Sequence, residues 1–131
     1  MAIQKQLLFS DLNLTFNKHP VTGAVSVLKN RDAVKRAVRN LIMTNYFERP
    51  YNPEFGGNVT SLLFENADSM TEMKVFDGIK QAIANFEPRA NLENLIVDLE
   101  PDNHNLFIKI VFNINNIQEP VELDITIDRT R

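Results

Sequence analysis

The chain has 131 residues, 44% of them hydrophobic and 24% charged, with a net charge of −3 and no cysteine. That is room for a single domain spanning 1–131 with one core, and it excludes disulfides, thiolate metal sites and thiol chemistry. Residues 1–86 carry ten basic and eight acidic side chains and residues 87–131 four and nine, too few bases in either part to neutralise a row of phosphates, so nucleic acid is not an expected partner. The uneven split predicts two surfaces of opposite character. No apolar run is long enough to cross a bilayer, and Met1–Phe9 is too short and polar for a signal peptide, which predicts no membrane association and folding in a reducing cytoplasm.

In chain order, Leu12, Leu14 and Phe16 alternate with polar residues, as do Val25 and Val27. Turn formers from Asn17 to Gly23 separate the two runs, so an arm or irregular hairpin is predicted. Ala33, Val34, Ala37, Val38, Leu41 and Ile42 recur at helical spacing behind Asn30, a candidate N-cap. Arg31, Lys35 and Arg39 form a basic stripe on the neighbouring face, by default a solvated one.

From Thr44 to Gly57 two prolines and a double glycine forbid a regular element, yet the segment holds Tyr46, Phe47, Tyr51 and Phe55. An irregular but aromatic loop packs onto something. A short helix is predicted from Val59 to Phe64. A longer one opens with Ser69-Met70-Thr71-Glu72, which has the form of a capping box with Ser69 accepting from the first turn. Met73, Phe76, Ile79, Ile83 and Phe86 give it an apolar face, and Pro88 ends it.

The last third alternates with period two. Leu95, Val97 and Leu99 form one strand, followed by a turn at Pro101-Asp102-Asn103-His104-Asn105. Leu106, Ile108, Ile110, Phe112 and Ile114 form the next, with Phe107 and Val111 apolar on its other face, a central-strand pattern. Val121, Leu123, Ile125 and Ile127 alternate with Glu122, Asp124, Thr126 and Asp128 in a third. The expected fold is α+β, with two main helices on a C-terminal three-stranded antiparallel meander.

Catalytic patterns are scarce. His19 and His104 lie in turn-like segments without metal-ligand spacing, and no phosphate loop, nucleophile elbow or zinc-protease motif occurs. Neither a cofactor nor a metal is therefore expected. Glu48, Glu54 and Glu65 lie near aromatics and are the acids nearest to a glycosidase pair, but their spacing does not single them out.

Glu87-Pro88-Arg89 follows an amphipathic helix and precedes the sheet. The residues alone leave two readings open. In one, Glu87 and Arg89 pair with each other and Pro88 stops the helix; in the other, proline holds both charges ready for a partner. Taken with Glu48-Arg49-Pro50-Tyr51-Asn52-Pro53-Glu54-Phe55-Gly56 and Leu62-Leu63-Phe64-Glu65-Asn66, the chain resembles the GPW-like family. These are the baseplate wedge and sheath-initiator proteins of contractile-tailed phages, related to a type VI secretion baseplate component.

The resemblance implies a structural virion protein of the tail baseplate, assembled in the host cytoplasm. It implies a site for wedge scaffold proteins at Glu87, Pro88 and Arg89, with Arg49 and Pro50, and so favours the partner reading. Tail sheath subunits would add strands to a sheet edge, taken as Val121, Glu122, Leu123, Asp124, Ile125, Thr126 and Ile127, with Leu95–Leu99 as the other candidate. Tail tube-end proteins are a further implied partner. The lysozyme label that some family members carry leaves a peptidoglycan hydrolase as the enzymatic alternative.

Overall fold

The computed structural model describes residues 9–66, 68–100, 102 and 105–128. Most of the N-terminal segment, and Pro101, Asn103 and His104 of the expected turn, lie outside the described residues.

Strands β1 (Ser10–Leu12) and β2 (Val27–Lys29) form the N-terminal hairpin, with Asp11 opposite Leu28 and an isolated bridge between Lys18 and Val25. Its strands are shorter than the alternation predicts. Leu14 and Phe16 lie in the connecting segment, exposed, and Phe16 has φ 52°. His19 Nδ1 accepts from the backbone N–H groups of Val21 and Thr22, which makes this histidine part of the turn.

Helix α1 (Arg31–Met43) buries Ala33, Val34, Val38, Leu41 and Ile42. Asn30 occupies the N-cap position but does not cap with its side chain, contrary to expectation. Its Oδ1 accepts from Phe9 N–H at 3.2 Å, so a contact distant in sequence has taken the acceptor that a first-turn N–H would use.

Helix α2 (Val59–Leu62) ends two residues before the predicted Phe64. Helix α3 (Ser69–Phe86) starts as predicted, but its cap is Asp68 and not Ser69. Asp68 Oδ1 accepts from Thr71 N–H at 2.8 Å and from the Thr71 hydroxyl at 3.0 Å. Glu72 does not reach back to the cap; its Oε1 accepts from Leu99 N–H in the sheet at 3.2 Å. The buried face of α3 is Thr71, Val75, Ile79, Ala82 and Ile83, whereas the predicted Met73 is 67% exposed and Phe76 and Phe86 are half-buried.

The Thr71 backbone N–H bond, followed by its hydroxyl, holds the Asp68 carboxyl below its ordinary 3.8. A depressed folded-state pKa gives stability that is present above the unfolded value and lost as pH falls through the folded one. Asp68→Asn keeps an acceptor but cannot titrate. It is expected to lose less thermal stability than the wild type between about pH 5 and about pH 2, measured by melting in parallel buffers; identical acid limbs would show that this cap does not couple to folding.

Strands β3 (Ala90–Glu100), β4 (Asn105–Ile114) and β5 (Val121–Asp128) form an antiparallel sheet in the order β3-β4-β5. The central strand is β4, as its sequence predicts. Leu106, Ile108, Ile110, Phe112 and Ile114 are buried beneath the helices, as are Val121, Leu123, Ile125 and Ile127 of β5. Phe107 and Val111 are on the opposite, more open face, so β4 is central by position without being covered on both sides. Helix α3 packs over β3 and α1 over β5. The architecture is α+β, as expected. No helix among the described residues is long and apolar enough to cross a membrane.

Candidate functional site

The two sequence blocks converge at the C-terminal end of α3. Phe86, in the last turn, packs against Phe55 with ring centroids 5.0 Å apart and planes tilted by 57°, and the Arg49 guanidinium lies 4.0 Å from the Phe55 ring centroid. This column joins the aromatic loop to the residue just before Glu87.

The loop is folded back on itself. Phe47 N–H donates to the Pro53 carbonyl at 2.8 Å, and Gly57 N–H to the Leu41 carbonyl at 3.0 Å. Gly56 has φ 132° and lies so close to Thr44 that a Cβ there would be 2.2 Å from the Thr44 carbonyl oxygen. Only glycine combines that backbone with that approach. Phe55 packs against the core, while Phe47 is 82% exposed and Tyr51 is fully exposed. Arg49 and Pro50 are also exposed.

Glu87 is buried and Arg89 half-buried. Arg89 Nε donates to Glu87 Oε1 at 2.5 Å and Nη2 donates to Oε2 at 2.9 Å, a bidentate internal pair. The hydrogen bond to Glu87, then its charge, raises the Arg89 pKa against a desolvation penalty. Since neither residue falls on the predicted apolar stripe, the burial of Glu87 was not visible in the helical spacing. The pair that the resemblance reserves for a partner is, in this chain, also closed on itself. Pro88 is exposed, and Arg89 Nη1 meets no acceptor among the described residues. The Arg89 guanidinium also lies 5.3 Å from the Phe9 ring centroid.

Asn115, at the end of β4, fixes this corner. Its N–H donates to the Arg89 carbonyl at 3.1 Å, its Nδ2 donates to the Pro88 carbonyl at 3.2 Å, and its Oδ1 accepts from Asn91. Sequence reasoning missed Asn115, because nothing local distinguishes it from its neighbour Asn116.

The sheet edges differ. Because Leu99 N–H donates to Glu72, it points away from β4, and Leu99 faces Leu106 across a non-hydrogen-bonded pair. Leu106 therefore bonds toward β5, where it faces Ile127. Counting along β5 by alternation, the backbone N–H groups of Glu122, Asp124 and Thr126 point outward. No acceptor among the described residues meets them. The β3 edge is interrupted by a bulge between Leu92 and Asn94 and closed at Leu99 by Glu72, leaving Leu95 and Val97 with outward N–H groups between them.

The acids weighed for hydrolysis are dispersed and exposed. Glu48 Oε1 accepts from Asn45, Glu65 pairs with Lys74 at 2.8 Å, and Glu54 lines a groove of about 430 Å³ beside Phe47 and Asn85. No group of three or more His, Asp or Glu side chains suited to a metal occurs among the described residues.

A family model described as baseplate wedge protein gp25 matches residues 28–119. That span holds the aromatic loop and Glu87–Arg89 and stops just short of β5. The chain is similar to baseplate wedge protein gp25 of Enterobacteria phage T4, with 32% identity over 92 residues, 69% of this chain and 68% of that protein. In structure it is similar to a chain of the anti-feeding prophage baseplate, seen in a six-fold symmetrised cryo-EM structure. The TM-score is 0.71 at 27% identity, over 85% of this chain and 89% of that one. It is also similar to a Geobacter sulfurreducens protein provisionally described as a tail lysozyme, with TM-score 0.65 at 19% identity over 75% and 89% of the two chains. At that identity the likeness is one of fold.

Proposed function

The chain belongs to the baseplate wedge protein gp25 family, and from that premise we propose that it binds the wedge scaffold at the C-terminal end of α3 and starts sheath growth by accepting strands on β5. It is a structural protein of a contractile-tail baseplate and part of the virion. The scaffold contact is assigned to exposed Arg49, Pro50 and Pro88 with the outer side of Arg89.

The observation that carries the sheath assignment is the row of outward, unmet N–H groups at Glu122, Asp124 and Thr126. An edge of this kind takes another chain by main-chain hydrogen bonds in one register, which suits a part that must template a polymer. The β3 edge offers only an interrupted row.

Proline tests this directly, because it deletes a backbone N–H and blocks close pairing. Asp124→Pro and Thr126→Pro remove outward groups and so spare the ladder to β4. Each variant is expected to stay folded by circular dichroism, to enter baseplates, and to leave them bare of sheath in electron micrographs. Normal sheath on baseplates that contain the variant would exclude β5 as the acceptor, and Val97→Pro is then the test of β3.

The assembly role extends to the absence of hydrolytic chemistry. Glu48 and Glu65 are exposed and engaged with Asn45 and Lys74, and Glu54 lies apart from both in an open groove, so no two of them face each other across a cleft as a glycosidase pair must. The purified protein is expected to release no fragments from peptidoglycan. Turnover that disappears in a folded Glu54→Gln variant would establish the hydrolase instead.

A further inference from the structure

Beside β5 runs an open groove of about 570 Å³, bounded by Asn13 and Leu28 of the hairpin, by α1, and by Glu122–Asp124 of β5. A strand added to β5 would lie along it. Its α1 wall presents Lys35, Arg36 and Arg39. None of the three has an ion-pair partner among the described residues, and Arg36 Nε is buried without an acceptor. Three basic side chains on one wall, none of them in an ion pair, leave charge that an incoming carboxylate would balance.

The acids that line the same groove do not fill this role. Asp32, one turn before Arg36 and within its reach by helical spacing, makes no ion pair with it among the described residues, and Glu122 and Asp124 are in the exposed phase of β5, on the sheet face away from the helices. Lys109, on that outer face, is 3.4 Å from Glu122. The side chains of an added strand alternate in the same way, so those in the buried phase turn toward α1 and its bases.

We propose that the strand accepted by β5 comes from another protein and carries an acidic side chain in its helix-facing phase, held by Arg36 with Lys35 and Arg39. Lys35 and Arg39 of the basic stripe, with Arg36 beside them, are then part of the acceptor site and select the register of the incoming strand. A one-residue slip would turn the acid to the outer face, beside Glu122 and Asp124. This rests on the β5 acceptor reading above, and the test separates the two.

The probe is a short synthetic peptide of alternating valine and threonine in which one valine-phase position is glutamate, glutamine or lysine. Binding to the full chain is followed by amide chemical shifts. The glutamate peptide is expected to shift the amides of Glu122, Asp124 and Thr126 and the Arg36 side-chain N–H, and to bind about tenfold more tightly than the lysine peptide. In Lys35→Gln/Arg36→Gln/Arg39→Gln the preference is expected to shrink to about twofold. Should that variant not fold, rising salt on the wild type must reduce the preference in the same direction. Equal binding of all three peptides on β5 leaves strand addition standing and overturns the acidic requirement. Shifts absent from β5 with every peptide remove the acceptor edge, and this proposal with it. Self-association through the groove without peptide would assign it to a second copy and overturn a foreign strand.

Discussion

Gly56→Ala is expected to cost about 3 kcal/mol or more, a large share of the roughly 5–15 kcal/mol by which a domain of this kind is stable. The methyl group would sit 2.2 Å from the Thr44 carbonyl oxygen, on a backbone at φ 132° that side chains other than hydrogen rarely adopt. Neither strain can relax alone. Thr44 is held at the end of α1, where its hydroxyl donates to the Asn40 carbonyl at 2.6 Å and its own carbonyl accepts from Asn58 N–H. Gly57→Ala is the graded comparison. Its Cβ would meet Ile42 backbone atoms at 3.1 and 3.2 Å without a positive φ, so a smaller loss is expected. Urea titration of both variants checks the order, and a Gly56→Ala protein as stable as the wild type would show that the loop closes differently.

Removing Arg89 is expected to have the second-largest effect. Arg89→Ala leaves the Glu87 carboxylate, whose side chain is only 8% exposed, without either of its donors. Breaking a fully buried pair costs about 3–5 kcal/mol; with Arg89 one-third exposed, about 2 kcal/mol is expected here. The double variant Glu87→Ala/Arg89→Ala should lose less than the sum of the two single losses, because the unpaired charge is gone. Strict additivity in urea titrations would sink the internal pair. Scaffold capture measured on the folded double variant reports the outer contact separately from this internal one.

These two effects were legible in the sequence to different degrees. The double glycine marks an irregular loop, but not that Gly56 abuts Thr44, since that contact depends on how the loop returns to the end of α1. The Glu87–Arg89 pair was one of two readings open from spacing. Deciding between them required knowing that the chain turns at Pro88 and that Asn115 clamps the turn from the far end of β4. Strands β4 and β5 were readable nearly to the residue, because their branched apolar side chains alternate and one face is buried. Helix α3 was placed well but slightly rotated: Met73 fits a helical period as well as Val75 does, and only the sheet decides that Val75 is covered and Met73 is not, while Phe76 and Phe86 pack at the margin of the core. Its cap was misassigned by one residue because Asp68 and Ser69 are both competent acceptors. The groove beside β5 had no local signal at all. Its wall takes Lys35 and Arg39 from the stripe whose default reading was a solvated face and adds Arg36, and it becomes a wall only when the hairpin and β5 are set on either side.

The inequality of the two sheet edges also governs how copies of the protein behave in concentrated solution. A sheet open on both sides can stack without limit, each molecule handing its free edge to the next, which is the route to fibres. Here Glu72 and the bulge leave β3 only the outward N–H groups of Leu95 and Val97, so β5 is the one continuous edge of the three-stranded sheet. Two molecules could join through their β5 edges and would then have no continuous edge left to offer. Association by this route stops at a pair, and the fold carries an exposed strand without the hazard of runaway growth.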